Sequence, residues 1–168
     1  MANRKLMLIS PELSLLLIKQ LAHELKNYNL YLSFANFFGT EGITDLESYY
    51  KKRASEELLH HQWIMDYLTD ADVQFVYPSI DKNTEVISDY ITPFKQTVDR
   101  EIQTTEMIYK IREAAMAEKD FMTVSWLSGK LIKEQIEEEN TSRDALDIME
   151  QESDLYLRAE RVHDLLEY

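Results

Sequence analysis

The sequence predicts an all-α fold: a four-helix bundle with a long crossover between helices two and three, plus a short C-terminal fifth helix. Three observations predict it. Glycine and proline number only three each in 168 residues, too few for the turns of a many-stranded sandwich or barrel. Four long segments repeat apolar residues every three or four positions, the helical period. The links between those segments run short, long, short, which sets how neighbouring helices are oriented.

Each element carries its own signals. Ser10-Pro11-Glu12 reads as an N-cap, a first-position proline and a first-turn acid. Leu13, Leu17, Leu21, Leu25, Tyr28 and Leu32 follow as the apolar stripe, and Gly39 is expected to stop the helix. Thr44 and Glu47 read as a capping box opening a second helix from Asp45 to about Thr69. Residues 71–92 lose the helical period. Asp89 or Thr92 caps a third helix, with Pro93 in its first turn, running to about Glu118. Asp120 caps a fourth, from Phe121 to about Glu150, and Leu155 to Leu166 form the fifth. The middle link, about 20 residues, can reach ~65 Å extended, whereas a helix of about 25 residues is ~38 Å long. It can therefore climb the bundle and leave helices two and three parallel. The chain, residues 1–168, is expected to be a single domain.

Composition narrows function. There is no cysteine, which removes disulfides, thiolate metal sites, iron–sulfur clusters and thiol nucleophiles. Thirty-one acids against 18 bases give a net charge of −13, which suits cations and disfavours nucleic-acid or acidic-membrane partners. No stretch is apolar enough to span a bilayer. Pro11 and Glu12 interrupt the N-terminal apolar run and no small-residue cleavage site follows, so a cytoplasmic location is expected. The seven methionines read as core filler rather than haem ligands.

Acids stand where a core should be. Glu24 lies among Leu21, Leu25 and Tyr28, with Tyr31 two turns on. Glu57 and His60 are one turn apart on the second helix, Glu101 sits between Val98 and Ile102, and Gln135 and Glu138 share a face of the fourth. Residues level in an antiparallel pair share a midpoint. Glu24 with Glu57 places it inside the first short link, and Glu101 with Glu138 on the Lys119-Asp120 turn. Two anions ~4 Å apart repel by about 4 kcal/mol at an effective dielectric of about 20, so four at one depth call for a cation. An oxygen-rich set with one imidazole suits iron or manganese, with zinc and copper as competitors on affinity. A lone Glu-x-x-His is a weak signal, and Tyr31 alone reads as core. His23, His61 and His163 are expected at the surface or an interface, and the acidic runs around Glu56 and Glu134 read first as solvated faces.

The motifs Glu24-x6-Tyr31, Glu56-Glu57-x-x-His60, Glu101 and Glu134-Gln135-x-Glu137-Glu138-Glu139 make the chain resemble the bacterial non-haem ferritins from about residue 10 to 150. That resemblance implies a ferritin-like bundle, ferroxidase activity at a di-iron centre within each subunit, and storage of ferric mineral in a homo-oligomeric, 24-subunit cage. It implies that Glu24, Glu57 and His60 hold the first iron. Glu57 would bridge to a second iron held by Glu101 and Glu138, with Gln135 beside it and Tyr31 hydrogen-bonding behind. Glu56, Glu134, Glu137 and Glu138 match an acidic third-iron site. The partners would be Fe(II) and dioxygen or peroxide, with no haem, nucleic acid or membrane. Gly129-Lys130 departs from the family pattern and predicts a π-bulge or local register change before Gln135. Two other readings stay open at this point: a di-iron oxidase or peroxidase on the same bundle without storage, and a non-catalytic acidic helical interaction module.

Overall fold

The computed structural model describes residues 8–83, 86–151 and 153–166. Helices α1 (Pro11–Thr40), α2 (Thr44–Asp70), α3 (Thr92–Ala117), α4 (Phe121–Gly129), α5 (Leu131–Met149) and α6 (Leu155–Asp164) follow in order. The expected fourth helix is broken: α4 and α5 meet at Lys130, whose φ −116° and ψ −79° lie off the helical line. The departure at Gly129-Lys130 is thus a real interruption, and α4 with α5 together make the fourth long rod.

Local chemistry explains most boundaries. Ser10 Oγ accepts the Leu13 amide at 3.1 Å and donates to Glu118 at 2.7 Å, so one cap also ties the start of α1 to the end of α3. Asp89 takes the amides of Ile91 and Thr92 at 2.8 and 2.7 Å, and Asp120 takes that of Thr123. Two expectations are corrected. The Thr44–Glu47 capping box does not form; Thr44 is already helical and Glu47 is drawn to Lys51. The first helix passes through Gly39 and ends at Thr40, and the left-handed turn falls at Gly42, φ +76°, where glycine alone is unstrained.

The stripe of α1 is also rotated from the one expected. Leu32 is exposed, and Leu25 and Tyr28 are half-buried, while Glu24, Asn27, Tyr31 and Phe34 point inward. Apolar side chains gather in two clusters. One surrounds Tyr31, Phe34, Phe38, Tyr50 and Phe94, and α6 closes it with Ala159 and Val162. The other, around Leu13, Leu17, Leu21, Ile64, Leu68 and Ile108, fills the opposite end. Between them lies a layer of buried polar side chains from all four rods, including Gln20, Glu24, Arg53, Glu57, His60, Glu101, Gln135 and Glu138.

Candidate metal centre

The short links place these side chains level. Glu24 on α1, and Glu57 and His60 on α2, offer ligand atoms that all lie within 4.8 Å of one another. A single ion with bonds of ~2.1 Å holds opposed ligands about 4.2 Å apart, so a small inward movement completes the site. Glu24 Oε2 and both Glu57 oxygens accept from no other described group, although both carboxyls are buried; the two carboxyls meet only each other, sharing a proton. Unpaired carboxylates in such a place are costly unless protonated or bound to a cation. Burial pushes the Glu24 carboxyl up to about 7, and the hydrogen bond with Glu57, then Gln20 donating at 2.7 Å, pull it back in part. Burial, and then the charge of Glu101, push Glu57 well above the ordinary range. His60 is held down to about 4, chiefly by burial, so its imidazole is neutral at pH 7 and a competent ligand. The donor set fits one divalent cation.

Glu101 and Glu138 are in the same layer but in a different chemical state. Glu101 Oε1 accepts from Tyr31 Oη at 2.6 Å and from Arg53 Nη2 at 2.7 Å, and its Oε2 accepts from Gln135 Nε2 at 2.9 Å. Glu138 Oε1 is 3.7 Å from Arg53 Nη1, and its Oε2 is 3.7 Å from His60 Nδ1. Tyr31, fully buried, is therefore more than core: its hydroxyl orients Glu101. Arg53 was missed by sequence reasoning because it closes the run Lys51-Lys52-Arg53, which reads as solvated charge. Its position four before Glu57, on the same helical face, was the available signal. Burial works against its charge, but Glu101 and Glu138 outweigh it and hold Arg53 protonated.

Glu56, Glu134, Glu137 and Glu138 do come together, around a pocket of about 280 Å³ that Lys52, Arg53, Thr141, Leu165 and Leu166 complete. Glu56 is already paired with Lys52 at 3.2 Å and Arg53 at 3.3 Å. The surface expectation for two histidines is corrected. His23 is buried and donates to Thr104, which itself donates to the Arg100 carbonyl. His61 is buried too; its Nδ1 donates to the Leu21 carbonyl, leaving Nε2 to accept from Tyr77 of the crossover. Trp63 stands beside the centre, its ring 5.3 Å from that of His60, and Lys130 Nζ lies 4.8 Å from the Trp63 ring centroid.

Comparison with known proteins gives the lineage. A family model described as "Ferritin-like domain" matches residues 15–151. The chain belongs to this family. Within it, the chain is 28% identical over 142 residues to a bacterial non-heme ferritin of Staphylococcus epidermidis, covering 84% of this chain and 85% of that one. It is 29% identical over 150 residues to the bacterial non-heme ferritin of Bacteroides fragilis, covering 88% and 92%. Among solved structures, a humanized archaeal ferritin superposes with a TM-score of 0.86 at 25% identity over 94% of this chain and 95% of its own. An open-pore ferritin of Archaeoglobus fulgidus superposes at 0.85, 24% identity, 92% and 98% coverage, a likeness of fold. Among the described residues no helix is long and apolar enough to cross a membrane.

Proposed function

We propose that the chain is an iron-storing ferritin subunit that takes Fe(II) at Glu24, Glu57 and His60 and oxidises it to Fe(III) for deposition in a homo-oligomeric cage. The observation that carries this reading is the set of oxygens on Glu24 and Glu57 that accept from no other described group, beside a neutral His60, in a chain of the ferritin-like family. Bound there, iron supplies the redox chemistry, with dioxygen or peroxide as electron acceptor. The protein supplies binding, orientation and shielding from bulk water. The two carboxylates lose their protons as Fe(II) binds, so uptake strengthens as pH rises. Trp63 and the apolar clusters above and below limit solvent access.

Tyr31 and Gln135 act as positioning residues by holding Glu101. Glu56, Glu134, Glu137 and Glu138 line the pocket beside the centre, and in this reading they form the next station for iron. The net charge of −13 raises the local concentration of Fe(II), an effect on rate.

Two measurements test the proposal. Aerobic Fe(II) addition, followed by ultraviolet absorbance, should show rapid ferric formation that Glu57→Ala slows by tenfold or more. A sizing column should return a particle of several hundred kilodaltons. A Glu57→Ala rate equal to wild type removes the centre from the reaction, and a small particle with intact oxidation favours an oxidase without storage.

A further inference from the structure

We infer that the Arg53 guanidinium takes the place of a second metal cation, so that the buried acidic layer binds one divalent ion per chain, at Glu24, Glu57 and His60. The inference rests on reading that layer as the iron site, and it departs from the expectation of a second iron between Glu101 and Glu138.

The layer divides into two halves. On one side, three carboxylate oxygens of Glu24 and Glu57 are buried with no donor beyond the two carboxyls themselves. On the other, Glu101 is served by three donors from three helices: Tyr31, Arg53 and Gln135. A divalent ion at Glu101 would stand against a guanidinium already bonded to that carboxylate and only 2% exposed. A guanidinium does not shed its proton in proteins, so the repulsion cannot be relieved by titration. It also sits 6.0 Å from the Tyr31 ring centroid, a further contact that keeps it inside. Arg53 reaches Glu138 as well, at 3.7 Å, so both acids expected to hold a second iron already face the same cation.

Charge agrees with geometry. Four carboxylates, Glu24, Glu57, Glu101 and Glu138, match two divalent ions when nothing else is present. With Arg53 among them, one divalent ion and one proton suffice. Among the described residues, the grouping that brings three metal-ligating side chains close enough for one ion is Glu24, Glu57 and His60, without Glu101 or Glu138.

Crystals of the full chain soaked in Co(II), a redox-inert probe, and mapped by anomalous scattering at the cobalt edge decide the matter. The wild type should show one peak within the bundle, among Glu24, Glu57 and His60. Arg53→Gln should show two, the second between Glu101 and Glu138, so that interior occupancy doubles. Two interior peaks in the wild type, with the guanidinium swung away, overturn the inference while leaving the iron-site reading intact. A single peak in folded Arg53→Gln also overturns it. Absence of any peak at Glu24, Glu57 and His60 sinks the iron-site reading and this inference with it. Should Arg53→Gln not fold, the wild-type map alone still discriminates one peak from two.

Discussion

Glu57 is a side chain whose burial opposes folding. Its oxygens meet no donor but the Glu24 carboxyl, and burial with neighbouring charge raises its own carboxyl. Glu57→Gln should therefore raise the metal-free melting temperature, by a few degrees for about 1 kcal/mol, while abolishing the rise that Co(II) produces in the wild type. The pH dependence follows from the same groups. Carboxyls raised in the native state favour it at low pH and cease to do so as pH climbs from about 4.5 through the raised value, about 7 for Glu24. His23 and His60, held down to about 4, act oppositely, but only below their ordinary 6.5. Between pH 6.5 and 8 the carboxyls alone operate, so metal-free protein should melt lower at pH 8 than at 6.5. A flat or rising profile in chelator would mean that these acids are satisfied. With Co(II) present the trend should reverse. Glu24, Glu57, Glu101 and Glu138 were legible because acid on an apolar stripe breaks a strict period, and His60 because it trails Glu57 by one turn. Arg53 was not, since a base after two lysines looks like solvated charge, and depth leaves no mark on composition. His23 and His61 were misjudged for a related reason: their partners, Thr104 and the Leu21 carbonyl, lie on other helices.

At the level of elements, starts were easier to read than ends. Ser10 and Asp120 cap as expected because a short polar side chain beside a proline or an apolar run has few alternatives, whereas Asp89 takes amides just ahead of α3, whose N-cap is Ile91. The Thr44–Glu47 box failed because Glu47 has a competing partner in Lys51 one turn later. Length and orientation of the rods followed from connector lengths, whereas the interruption at Lys130 showed only as a departure from a pattern. Glycines on either side of these boundaries give opposite predictions for one substitution. Gly42→Ala forces a Cβ into φ +76° and should cost about 1–2 kcal/mol. Gly129 has no positive φ and open space around a built Cβ, so Gly129→Ala should stabilise by about 0.4–1 kcal/mol. Thermal melts of the two variants beside wild type check both signs.

For the molecule as a whole, the polar layer separates two apolar clusters that would otherwise be one core. A cation in that layer binds the native state and has no preformed site in the unfolded chain. Co(II) at 100 times its dissociation constant should add about 2.7 kcal/mol, a melting rise of roughly 5–11 °C for a domain of this size, reversed by chelator. No rise would mean that the layer holds itself together without metal. The position of Trp63, in ring contact with His60, extends this to the bench. It is one of only two tryptophans, so its ultraviolet emission should dim as a paramagnetic ion settles on the neighbouring imidazole. Each chain thus carries its own optical gauge of loading, readable without dyes or labels.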